Sequence, residues 1–409
     1  MQTLDIFTLA LGLQSPWYVE KVEFLNSLEM ERELHIWINF KRGGEFVLDD
    51  GSRGSAYDTT DKTWRHLNFF QHKCFLHARV PRILNKEGKP RVVCTPWARP
   101  DSGFTLLMEA YMMLLAEGEM PMKQVANNVD ETAPRVWRVF DHWIKEAISL
   151  ERLDHVVNIG VDETSRKKGH HYITHFVNLD TGRTIYVTEG KDSSVFDRFV
   201  THLEERGGSA SNIKHVSMDM SPAFISGKTR CFPDAQIVFD KFHLVQLVNK
   251  AMDEVRKMEV KDAALIKGQK YTFLRKKSNL SDKKRAALEE LVHKYPIIGK
   301  AYRIKELFIY ALSGQKSMEQ SEMLECWCQQ AKDSGMAPFI KAANQIKACW
   351  SGVIAYFSSG ITNGILEGLN SKIQLAKRRA RGFRNIKNFI NMIYFVAGSA
   401  KNLYPYQTL

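Results

Sequence analysis

From Glu33 to Phe40 the chain alternates polar and apolar residues (ELHIWINF), and it does so again in HKCFLHARV from His72. A period of two is that of a half-buried strand, and GGEFVLDDGSRGS between the two runs supplies turn chemistry. Residues 1–100 therefore read as a small β-rich module. From Phe104 the period lengthens: FTLLMEAYMMLLAEG is a helical run stopped at Gly118, and MPMKQVANNVDETAPRVWRVFDHWIKEAI holds two more helices parted by a polar turn from Asp130 to Thr132. Thr132 is placed to cap the second of these, which carries Pro134 in its first turn. Residues 101–150 thus read as a helix-turn-helix.

The stretch 151–245 changes pattern again. Strand runs VVNIGVD, YITHFVNL and RTIYVT are followed by one helix, SSVFDRFVTHLEER, and then by strand runs IKHVSMD and AQIVFD. Three meandering strands and a crossover helix into a fourth predict an α/β fold whose mixed sheet has the ribonuclease-H-like arrangement. Residues 246–358 carry almost no strand signal and read as an all-α insertion; Ser281 starts one of its helices, and Ser317 with Gln320 forms a capping box for another. The pattern returns to the core over 359–409, with a helix in ITNGILEGLNSKIQLAKRRAR and an amphipathic one through Ile386, Phe389, Ile390 and Ile393.

Composition narrows the class of protein. At 409 residues with 44% hydrophobic and 25% charged residues, the chain is expected to fold as two or three soluble domains. Lys and Arg number 58 against 46 Asp and Glu, a formal charge of +12, which favours a polyanionic partner. From Ile361 onward there are eight basic residues and one acidic, 8 − 1 = +7 of that charge. No apolar run reaches the roughly 18–20 residues of a membrane span, and the N-terminus lacks a signal-peptide pattern, so a cytoplasmic location without membrane contact is expected. Six cysteines form no paired framework and read as free thiols of a reducing compartment.

Three acidic residues carry the chemistry. Asp162 and Asp219 end apolar Val- and Ile-containing runs, and strand ends are where an α/β sheet exposes its reactive groups; Glu367 lies on a helix that continues directly into lysines and arginines. The intervals, 219 − 162 = 57 and 367 − 219 = 148, suit a sheet interrupted by an inserted helical block. Carboxylates bind hard divalent cations through oxygen, and a pair of such ions can activate a nucleophile and stabilise a leaving oxygen at phosphorus.

With those residues in view, the chain resembles bacterial DDE transposases of the ISL3 insertion-sequence family. The likeness is carried by TWRHLNFFQHKCFLHARVPR, PWARPDSGFTLL, GVDETSRKKGHHYIT, SMDMSPAF, VFDKFHLV and TNGILEGLNSKIQLAKRRARGFRN, and it spans nearly the whole length. The resemblance implies that Asp162, Asp219 and Glu367 are catalytic and hold metal, two Mg²⁺ or Mn²⁺ ions. It further implies that DNA is the partner, as element ends and target, and that the protein works as a homo-oligomer. Asp240 and His243, in DKFH, resemble an accessory D-x-x-H signature; the competing reading is a capped helix start with a core histidine.

Arg135, Arg138 and Lys145 sit on or near the second helix of the helix-turn-helix, where DNA contact competes with a packing role for the Trp137, Phe140 and Ile144 stripe. Lys377, Arg378, Arg379, Arg381 and Arg384 follow the Glu367 helix, as phosphate contacts or as a solvated face. The family's N-terminal zinc knuckles have no cysteine counterpart here, so no structural zinc is expected. The module's core then falls to Trp37, Trp64, Phe69 and Phe70. His72, Cys74 and His77, like Cys326 and Cys328, read as structural. The competing function is an inactive DNA-binding remnant acting as a repressor; a plain ribonuclease H needs neither the front modules nor the insertion.

Overall fold

The computed structural model describes residues 3–26, 31–167, 171–260, 264–313, 318–359 and 364–398. The chain divides into two compact units between Ser149 and Leu150.

The first unit opens with helix α1 (Thr3–Ala10), then strands β1 (Trp17–Asn26) and β2 (Arg32–Phe40). A small hairpin of β3 (Phe46–Val47) and β4 (Arg53–Gly54) follows, then β5 (Asp58–Phe69), β6 (His72–Leu84) and β7 (Pro90–Val92). The sheet order is β1-β2-β6-β5, with β7 on β6; β2 and β6 are parallel and the other pairs antiparallel. Alternation sends Leu34, Ile36, Ile38, Cys74, Leu76 and Ala78 into one core with Trp17, Phe46, Trp64 and Trp97. The expected core aromatics are corrected in part. Trp64 is buried, but Phe69 and Phe70 are exposed at 37% and 81%, because they lie at the outer end of the β5–β6 hairpin. Trp37 lies on the opposite sheet face, stacked on His77 with centroids 5.1 Å apart.

Three helices complete the unit: α2 (Leu106–Glu117), α3 (Met122–Asn128) and α4 (Ala133–Leu150). Thr105 caps α2 by accepting from Met108 N–H, and Gly118 ends it. The turn between α3 and α4 places Asp130 at φ 53°. The fully buried Glu109 of α2 binds Arg99 at 2.9 Å and accepts from the Trp143 indole at 2.8 Å, which pins α4 to α2.

The second unit is built on β8 (Asn158–Lys167), β9 (His171–Asn178), β10 (Arg183–Glu189), α5 (Ser194–Glu205), β11 (His215–Met218), α6 (Pro222–Cys231) and β12 (Gln236–Phe239). Sheet order is β10-β9-β8-β11-β12. The first three strands are antiparallel, whereas β11 is parallel to both β8 and β12. The sequence pattern lacked α6, and parallel neighbours demand such a crossover. One sheet face buries Val161, Phe176 and Met218 against Phe196 and Phe199 of α5. The other face receives α14, described below.

A helical block follows β12: α7 (Lys241–Glu259), α8 (Lys270–Leu274), α9 (Asp282–Lys294), α10 (Pro296–Ala311), α11 (Met318–Asp333), α12 (Ala337–Ala348) and α13 (Trp350–Ser359). Ser281 is the residue before α9, as expected; the Ser317 end of the expected capping box lies outside the described residues. Inside the block the fully buried Lys305 donates to the Phe273 and Arg275 carbonyls and pairs with Glu306. The chain then returns to the sheet with α14 (Gly364–Arg379) and α15 (Ile386–Ala397). Tyr394 of α15 accepts from Val187 N–H of β10 at 2.9 Å.

Candidate functional site

Register places the acids. On parallel strands β8 and β11, Ser217 faces Gly160, a constant offset of 57, and two residues further that offset makes Asp219 level with Asp162. On β11 and β12, Met218 faces Phe239, an offset of 21, and Asp219 comes level with Asp240. Three carboxylates therefore stand in one row across three adjacent strands about 4.8 Å apart, just beyond the ends of β11 and β12 and midway along β8.

Helix α14 crosses the β8 end of that row. Asn370 Nδ2 donates to Asp162 Oδ2, Gln374 Nε2 donates to Thr164 Oγ1 at 2.6 Å, and Lys377 Nζ donates to the Ser165 carbonyl. Spacings of four and three put these side chains on one helix face, and Glu367 begins the same stripe one turn earlier. Close approach is possible because β8 carries glycine beneath Leu366: a Cβ on Gly160 would lie 2.9 Å from Leu366 Cδ1. Asp162 Oδ1 also accepts from Glu163 N–H at 2.7 Å. Even so, burial outweighs these bonds and lifts its carboxyl to about 6. Burial likewise raises Glu163, which lies within reach of the Lys191, Asp219 and His243 charges.

Helix α7 starts at the β12 end of the row. Buried Asp240 caps it, accepting from Phe242 N–H at 2.9 Å, and stands 3.9 Å from His243 Nε2. The helix is capped as one reading expected, but His243 is only half-buried and lines a cavity instead of lying in the core. That cavity, about 660 Å³, is bordered by Asp219, Ser221, His243, Gln246, Asn249, Lys250, Lys270 and Gln345 among others. A second, about 310 Å³, holds Asp240 and Glu367 with Tyr356. The exposed Glu367 thus shares a cavity with Asp240, while Asn370 bonds the Asp162 carboxylate. Among the described residues no three His, Cys, Asp or Glu side chains form one metal-ligand set.

The remaining candidates are distributed as follows. Arg378, Arg379, Arg381 and Arg384 are exposed at and beyond the end of α14, and Arg166 donates to the Arg384 carbonyl at 2.8 Å. Lys377 is partly engaged in holding α14 to β8. On α4, Arg138 is exposed, Lys145 pairs with Asp141 at 3.0 Å, and Arg135 is turned inward, 2.6 Å from Glu131 and over the Phe104 ring. Phe140 and Ile144 are buried, so part of the expected packing stripe is present on the same helix. Cys74 points into the core and its thiol is pushed up to about 12 by burial, while His77 bonds His35 and Thr63 on the other face. Asn370, Glu163 and His175 escaped the sequence reading; each acquires its meaning only from a partner on another strand or helix.

Residues 159–393 match the ISL3 family of DDE transposases, and residues 93–144 match the helix-turn-helix domain of transposase family ISL3. The chain belongs to the ISL3 transposase family. It is similar to the transposase for insertion sequence element IS1557 of Mycobacterium tuberculosis, in both strains CDC 1551 / Oshkosh and ATCC 25618 / H37Rv, with 28% identity over 372 residues and 82% of each chain covered. It is also similar to the transposase for IS1001 of Bordetella parapertussis, 25% identical over 396 residues, covering 93% of this chain and 95% of that one. This transposase therefore pairs a helix-turn-helix in its first unit with a DDE domain in its second. Among the described residues no helix is long and apolar enough to cross a membrane.

Proposed function

We propose that this transposase binds the ends of its insertion sequence through the first unit, cuts the DNA there, and joins the freed 3′-hydroxyls to a target. Asp162, Asp219 and Glu367 are its catalytic residues in this reading. The observation that carries it is the register that makes Asp162 and Asp219 level on adjacent parallel strands beneath the Glu367 helix. The strand order, with a three-strand meander and two parallel strands beyond it, supports a ribonuclease-H-like core.

Asp162 and Asp219 suit a hard divalent cation. Both donors are carboxylate oxygens, and a carboxyl that burial has lifted to about 6 gains most from a neighbouring positive charge. Bound there, Mg²⁺ or Mn²⁺ would supply a Lewis acid to the phosphodiester. Glu367, on the helix that crosses this row, would complete such a set. Asn370 and the Glu163 amide hold the Asp162 carboxylate in one orientation, so its free lone pairs are preorganised. Arg378, Arg379, Arg381 and Arg384 meet DNA phosphates beside the cut, and Arg138 meets DNA from the helix-turn-helix. In the first step water adds to phosphorus and the P–O3′ bond breaks, leaving a 3′-hydroxyl and a 5′-phosphate. In the second that hydroxyl attacks a target phosphodiester, exchanging one P–O bond for another. Neither step needs an enzyme-bound intermediate, and the pairing of two ends calls for more than one copy of the chain.

The test is cleavage and joining of a labelled element end in Mg²⁺ or Mn²⁺. Asp162→Asn, Asp219→Asn and Glu367→Gln should each lower both steps at least about 10³-fold while end binding stays within about threefold. Near-wild-type cleavage by any one of them removes that residue from the catalytic set.

A further inference from the structure

We propose that His175 is a positioning residue for Asp162, acting through the Asn370 side chain. The inference rests on the catalytic role of Asp162. In the β8–β9 ladder His175 is the direct partner of Asp162, and direct partners on antiparallel strands project from the same sheet face. That is the face on which Asn370 reaches Asp162. The ring is fully buried, and among the described residues neither of its nitrogens has a hydrogen-bond partner; Asn370 Oδ1, the other end of the same amide, is also buried without one.

These orphan groups answer each other. An amide side chain can present either its oxygen or its nitrogen to a neighbour, and the partner at one end decides which group the other end offers. A ring N–H of His175 directed at Oδ1 leaves only the NH₂ for Asp162, the orientation found. Asn370 stands near enough to the ring to interact with it through its side chain. A neutral imidazole has one N–H to give, which is what Oδ1 lacks. Packing alone does not explain a histidine here. The flanking residues on this face of β9 are Ile173 and Val177, both fully buried, and another aliphatic would fill the position without burying two polar nitrogens.

The experiment measures Mn²⁺ affinity calorimetrically on the full chain for wild type, His175→Phe, His175→Gln, Asn370→Ala and the double variant His175→Phe/Asn370→Ala, each checked for a cooperative melt. His175→Phe keeps the bulk and removes the donor, and it should weaken Mn²⁺ about 10-fold or more, the usual cost of a lost partner behind a ligand. His175→Gln, which can donate, should return affinity to within about threefold, and the double variant should bind no more weakly than Asn370→Ala. Unchanged affinity in His175→Phe, equal weakening in His175→Gln, or effects that multiply in the double variant would overturn the proposal.

Imidazole nitrogen resonances of histidine-labelled wild type and Asn370→Ala give a reading that needs no substitution at 175. A neutral ring whose N–H signal shifts in Asn370→Ala is expected, and an unmoved signal overturns the relay. Mn²⁺ binding that is equally strong in Asp162→Asn would instead refute the metal site, while the resonances still report on the His175–Asn370 contact.

Discussion

Asp162 is held in a state that costs the folded protein stability when no cation is present. Its carboxyl sits at about 6 instead of 3.8 because it is buried. Between those pH values the native state holds a proton that the unfolded chain has lost, so stability falls as pH rises through the window and stays reduced above it. At about 1.4 kcal/mol per unit, the penalty at neutral pH is about 3 kcal/mol. Asp162→Asn should therefore make the metal-free protein more stable at pH 7.5, by up to that amount, and leave it unchanged below pH 4. Urea denaturation at the two pH values in a chelating buffer measures this, and an equal effect at both would exclude the charge as its cause. At this scale the sequence was legible where a residue's role follows from its own place on an element. Asp162 and Asp219 stand at the ends of apolar runs, so they could be named. Asn370 could not, since its partner is 208 residues away, nor His175, whose neighbour across the ladder depends on a register that only the folded sheet defines.

Helix α14 meets the sheet on one side and leads into exposed arginines at its far end. On the sheet side the contact with β8 depends on Gly160, where a Cβ would press into Leu179 and Leu366 at 2.8 and 2.9 Å. Gly160→Ala should cost about 1–3 kcal/mol of stability through overpacking and lower cleavage further than that loss explains, because Asn370 moves with the helix. Comparing melts with cleavage rates at a temperature where the variant is fully folded separates the two effects. On the solvent side, neutralising Arg378 and Arg381 should weaken binding to all DNA sequences and flatten the log–log salt dependence by about 0.9 per lost phosphate contact. Changing Arg138 on α4 should instead narrow the preference for the element end over random DNA. Binding isotherms at several salt concentrations on both DNAs distinguish them, and an unchanged slope would make the arginines a solvated face. Elements with a strong apolar period, such as α4, α5 and β9, could be read directly. Helix α6 could not: SPAFISGKTRC has little amphipathic contrast and contains Gly227, which the close approach of Phe196 requires, a Cβ there lying 2.4 Å from that ring.

Across the whole molecule, acid acts on desolvated histidines in both units, one half-buried and one buried. His66 of the first unit and His202 of the second are each lowered to about 4, chiefly by burial. The unfolded chain takes up these protons first, so the stability they contribute is present above pH 6.5 and is lost as pH falls through 4. Denaturation midpoints should decline over that window, and more steeply in Asp162→Asn, where the opposing carboxylate is gone; a midpoint that rises on acidification would reverse the sign. The order of elements along the chain has a different consequence. The helix-turn-helix is complete by Leu150, whereas α14, which carries Glu367, comes only after the strands and the entire helical block. Under the proposed function, a chain that ends within the block would keep the helix-turn-helix and lack the Glu367 helix, and so would occupy element ends without cutting them.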